Sequence, residues 1–117
     1  MKLIKGVSLA LFFLAVLPLS VMAETTYIII ADLQFQPTFL NISTGTTVTW
    51  LNYDWTGYYG RRHIIAAHYA EFRSPRLEFN DSFSVTFDEP GTYTYIDPIY
   101  RSSTGGAFIK KGVITVT

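Results

Sequence analysis

From residue 24 onward the apolar side chains recur with the two-residue period of strands, and no stretch carries a helical period. Tyr27-Ile28-Ile29-Ile30 is a β-branched run that stops at Asp32. Phe35, Pro37 and Phe39, followed by Asn41-Ile42, read as an edge segment, because Pro37 cannot donate to a ladder. After the turn residue Gly45, residues 46–52 place Val48 and Trp50 on one face and Thr47, Thr49 and Leu51 on the other. Residues 63–67 form a short apolar run, and residues 69–81 are mixed, broken by Ser74-Pro75. Residues 82–87 alternate, with Phe83, Val85 and Phe87 inward and Ser82, Ser84 and Thr86 outward. Glu89-Pro90-Gly91 signals a turn, and in residues 92–97 Tyr93, Tyr95 and Asp97 share a face. A last strand is expected at about residues 108–116, after a loop with Pro98 and Gly105-Gly106. Seven or eight short strands between such turns predict an all-β, two-sheet sandwich.

The first 23 residues differ from the rest. Lys2 and Lys5 precede an uncharged apolar stretch, and Val21-Met22-Ala23 presents small residues where a signal peptidase cuts. Residues 1–23 are therefore read as a signal peptide and residues 24–117 as one domain. The rival is an uncleaved anchor, since residues 6–23 are uncharged and nearly long enough to span a bilayer. Either way the domain is expected outside the cytoplasm, periplasmic, extracellular or anchored facing out, with a membrane partner only if that segment is retained.

Composition removes several chemistries. The chain has no cysteine, which rules out disulfides, thiolate metal sites and thiol catalysis. Without Lys2 and Lys5, 7 basic residues stand against 9 acidic ones, a net charge of −2, so the basic face that nucleic acid requires is missing. Nucleophile-elbow, phosphate-loop and HExxH motifs are absent too, so no enzyme activity is expected.

Three segments, in order, resemble the small cupredoxins, the plastocyanin- and pseudoazurin-like blue-copper domains. The first runs from Phe35-Gln36-Pro37 to Trp50-Leu51-Asn52-Tyr53-Asp54, and His63 then stands where the family has a copper-binding His, after a longer aromatic insertion. The second is Ser74-Pro75-Arg76-Leu77 with Ser82 and the five residues after it. The third, Phe87-Asp88-Glu89-Pro90-Gly91-Thr92-Tyr93-Thr94-Tyr95, matches the family's Phe-x-x-Pro-Gly-x-Tyr-x-Tyr. The resemblance implies a cupredoxin-like Greek-key β-sandwich. It does not carry over the copper site. The family continues with Cys, a second His and a Met, whereas here Asp97 stands for the Cys, Tyr100 for the His, and residues near Ser103 for the Met.

A blue-copper centre needs a thiolate, two imidazoles and a weak axial donor. The three replacements remove that redox chemistry, so no cofactor is expected. What remains is a thin metal set of His63, Asp97 and Tyr100, adequate only for copper or zinc at low occupancy; His68, five residues on, would need a bend to join it. The non-metal alternative has His63 buried and hydrogen-bonded, with Asp97 paired to Arg61, Arg62 or Arg101. The aromatic residues Tyr53, Trp55, Tyr58, Tyr59, Tyr69 and Tyr100 are read as an interaction patch. The expected function is a non-redox binding or assembly module, whose partner is another envelope or extracellular protein or a second copy of the chain. Non-blue metal binding, and service as an accessory subunit of a redox complex, are the alternatives. Asn41 and Asn80 lie in glycosylation sequons.

Overall fold

The computed structural model describes residues 23–57, 60–100 and 108–117. Except for Ala23, the leader lies outside the described residues, as do Tyr58, Tyr59, Arg101, Ser103 and the Gly105-Gly106 turn. Eight strands are present: β1 Thr25–Ala31, β2 Gln34–Gln36, β3 Phe39–Ile42, β4 Thr46–Asn52, β5 Ala66–Ala67, β6 Ser82–Phe87, β7 Gly91–Ile96 and β8 Gly112–Val116. Among the described residues no helix is long and apolar enough to cross a membrane.

The strands form two four-stranded sheets, ordered β2-β1-β4-β6 and β3-β8-β7-β5. β1 runs parallel to β4 with Ile28 beside Trp50, and β3 runs parallel to β8. The other pairings are antiparallel. The alternation in β4 reports its faces correctly: Val48 and Trp50 are buried, and Thr47, Thr49 and Leu51 are only partly covered. Outward hydroxyls link β4 to β6, Thr47 to Thr86 and Thr49 to Ser84, each at 2.7 Å. Between the sheets Trp50, Phe35 and Tyr95 pack edge-on with Ile28, Ile30 and Ile114. Burial raises the Tyr95 phenol well above its ordinary pKa, so it stays neutral.

Two expectations change. The single edge segment over residues 35–42 is two strands on opposite sheets: β2 edges the first, β3 edges the second, and Pro37 lies in the crossing between them. The apolar run 63–67 is a strand only at Ala66–Ala67. His63 instead exchanges backbone hydrogen bonds with Leu77, at 3.0 and 2.7 Å. That pairing holds the 63–77 hairpin across one end of the sandwich, where the loops leaving β4 and β7 also arrive.

Candidate functional site

Asn52, at the end of β4, organises this end. Its fully buried amide donates to the carbonyls of Arg61 (2.7 Å) and Leu77 (2.9 Å), and its side-chain oxygen accepts from the Asp54 N–H (3.0 Å). The Arg61 N–H closes the loop onto the Asp54 carbonyl at 3.0 Å. Gly60 permits that closure. It has φ +77°, and a Cβ there would lie 3.2 Å from the same carbonyl oxygen. Asp54 is thereby turned inward, away from solvent.

Asp54, His63 and Asp97 meet with no exposed surface on any of them. His63 Nε2 lies 2.9 Å from Asp54 Oδ2, and Nδ1 lies 2.5 Å from Asp97 Oδ2. Asp54 also accepts from the Thr56 hydroxyl (2.5 Å), the Thr56 N–H (3.1 Å) and the Leu33 N–H (3.2 Å). Burial pushes the Asp54 carboxyl up, but the bonds from Thr56, His63 and Leu33 outweigh it and hold the group below the ordinary carboxylate range. Asp54 is therefore the ionised acceptor, and Nε2–H donates to it. The Asp97–Nδ1 contact holds a second proton. The other Asp97 oxygen accepts from the Ile99 N–H at 2.9 Å and the Ile64 N–H at 3.4 Å.

These residues do not fit a copper centre. With metal–nitrogen and metal–oxygen bonds of about 2.0–2.2 Å, a tetrahedral ion between two ligands holds them roughly 3.3 Å apart. The 2.5 Å between Nδ1 and Asp97 suits a proton instead. The other ring nitrogen already faces Asp54, on the opposite side of the imidazole. Tyr100 meets His63 ring to ring, with centroids 5.2 Å apart, and its N–H donates to the Asp97 carbonyl. Among the described residues no three His, Asp or Glu side chains are arranged to hold one ion.

Sequence reading brought His63, Asp97 and Tyr100 to one place, and the structure joins them. Of the cations expected to pair with Asp97, Arg61 and Arg62 do not reach it, and Arg101 lies outside the described residues. Among the described residues the ionisable partner of Asp97 is His63; Arg61 donates to Thr56 Oγ1 (2.7 Å) and lies 5.6 Å from the Tyr100 ring centre, while Arg62 pairs with Glu78 at 2.9 Å. Asp54 was overlooked although it closes the Trp-x-Asn-x-Asp stretch. A short carboxylate two residues after a strand-ending Asn was the available signal. His68 is exposed against Tyr69, and its N–H donates to Thr94 on β7, so it does not approach the triad.

Of the expected aromatic patch, Tyr53, Trp55, Tyr69 and Tyr100 are described, while Tyr58 and Tyr59 lie outside the described residues. Tyr53 and Trp55 are 56% and 65% exposed and flank Phe79, at 5.2 and 4.6 Å between ring centres. Phe79 escaped notice because it comes from the turn before β6. Tyr69 stands apart, beyond β5 and beside the Thr94 level of β7, about three strand residues from Asp97. Tyr100 is half-buried over His63 rather than displayed with Tyr53 and Trp55.

Two parallel pairings within a two-sheet, eight-stranded sandwich, with a His and the residue after β7 meeting at one end, are the cupredoxin fold. The chain has the cupredoxin fold and is similar in sequence to members of that family. Amicyanin-alpha of Methylorubrum extorquens is 32% identical over 63% of this chain and 62% of its own length. Halocyanin of Natronomonas pharaonis is 34% identical over 58% of this chain and 42% of its own length. The chain thus matches about half the length of these relatives. A purple cupredoxin from Nitrosopumilus maritimus superposes with a TM-score of 0.61 at 28% identity, over 79% of this chain and 99% of that one. No protein-family profile matches the chain.

Proposed function

We propose that the domain works outside the cytoplasm as a non-redox, non-enzymatic cupredoxin, binding a partner through the end of the sandwich that relatives use for copper. One observation carries this reading: the only ligand residue retained, His63, has both ring nitrogens taken by buried carboxylates. A proton-bridged triad stabilises the loops that a metal would otherwise organise. Electron transfer through a type 1 centre is then unavailable, whereas the loops remain fixed to present Tyr53, Trp55 and Phe79. The leader motivates the placement outside the cytoplasm.

Calorimetric titration with Cu(II) and Zn(II) tests the reading against metal handling. The expected heats are the same for the wild type, His63→Ala and Asp97→Ala. A binding event lost in both variants would favour the metal-binding alternative. Chemical crosslinking in intact cells, with mass spectrometry, then compares wild type with Trp55→Ala. A specific envelope adduct, or a self-adduct, that Trp55→Ala removes is the expected result; an inert monomer in both is evidence against assembly.

A further inference from the structure

Above the triad opens a cleft of ≈ 720 Å³. Arg61, Arg62 and Arg76 line it, together with Ile64, Ile99 and Tyr100. Glu78 is the one carboxylate among its lining residues. Three of the seven arginines and lysines outside the leader therefore share one cleft with a single acid, on a domain whose net charge is −2. Among the described residues only Arg62 of the three forms a salt bridge, an exposed pair with Glu78 that water screens. Arg61 spends its Nε–H on a neutral hydroxyl.

We infer that this cleft binds an organic carboxylate, its charged head on Arg61 and Arg76 and its apolar body against Tyr100, Ile64 and Ile99. A guanidinium is a planar fork that matches the two oxygens of a carboxylate, and a concave site beside an aromatic ring raises the strength of that pairing. Gly60, in the cleft wall, also adjoins Trp55 and Phe79, so the cleft is continuous with the aromatic patch. The site is also linked to the core. Arg61 donates to Thr56, Thr56 donates to Asp54, Asp54 is bonded to His63, and His63 to Asp97, at 2.7, 2.5, 2.9 and 2.5 Å. An anion that draws Arg61 away from Thr56 therefore changes the field at the His63 ring.

The carboxylate comes either from a free acid or from an acidic side chain on a protein partner. In the second case the inference rests on the binding-module reading and names the partner's chemistry. The test titrates the whole domain with phenylacetate, a Glu-Phe dipeptide amide and inorganic phosphate, following amide and His63 ring resonances by NMR. Saturable binding of either organic carboxylate is expected, with the His63 ring signals moving at the same midpoint. Arg61→Gln and Arg76→Gln should each weaken it about tenfold or more, as expected for charge-assisted bonds. Lys110→Gln, in a separate groove, should leave it unchanged. A tighter dipeptide points to a protein source and a tighter phenylacetate to a free acid. No saturation up to about 10 mM, a weak affinity limit, overturns the inference, and so does indifference to both arginine variants or phosphate binding as tightly. Carboxylate binding without any Trp55-dependent adduct would retain this site and remove the assembly reading; an adduct without carboxylate binding would do the reverse.

Discussion

Replacing His63 by alanine would leave Asp54 and Asp97, neither with any solvent contact, facing each other across the space of the lost ring. Breaking a buried charged cluster by removing one member costs about 3–5 kcal/mol. His63→Ala should show that loss in urea unfolding, and a change under 1 kcal/mol would mean the triad does not hold the loops. Asp54 gives the cluster a pH signature. Its pKa is lowered on folding, so its contribution is present above the unfolded carboxylate value near 3.9 and is lost as pH falls through the lower folded value. The wild-type urea midpoint should fall steeply below about pH 4, and Asp54→Asn, weaker at neutral pH, should have a flatter acid limb. Parallel acid limbs would contradict that assignment. The residue types at 63 and 97 were legible in the sequence through their register with the family. Their mutual bond was not, because Asp97 offered several cationic partners and only folding selects one.

At the level of elements, β7 and β8 depend on a close approach. A Cβ on Gly112 would collide with the Tyr95 ring, inside a core where the phenol is fully buried. Gly112→Ala should therefore destabilise by about 1–3 kcal/mol, read as a lower Tm, with partial recovery when Tyr95→Leu is added. Full stability of the single variant would mean that Tyr95 packs elsewhere. Strand faces were readable from alternation in β4 and β6, since each strand has one buried and one wet side. The division of residues 35–42 between two sheets was not. A period of two reports which side chains face inward, but not which sheet supplies the hydrogen bonds.

For the whole molecule, the sandwich is a rigid frame carrying two adjoining features at one end, an aromatic cluster and a cationic cleft. Tyr53 and Trp55 are mostly exposed, so Trp55→Ala should change folding stability by no more than about 0.5 kcal/mol while reducing association. A large stability loss with unchanged association would reassign Trp55 to packing around its loop. The fold was legible because the Phe-x-x-Pro-Gly-x-Tyr-x-Tyr segment sets a turn and a strand together. The make-up of the surface was not, since Phe79 and Tyr69 owe their positions to turns whose direction residue pattern does not encode. The proposed function turns on a proton-bridged His63 in place of a metal ligand, and one measurement reaches it directly: long-range 1H–15N NMR of the His63 ring during addition of Zn(II). The triad geometry predicts two hydrogen-bonded ring nitrogens whose signals stay in place through several equivalents of zinc. A stoichiometric shift of the Nδ1 signal with loss of its proton would contradict it.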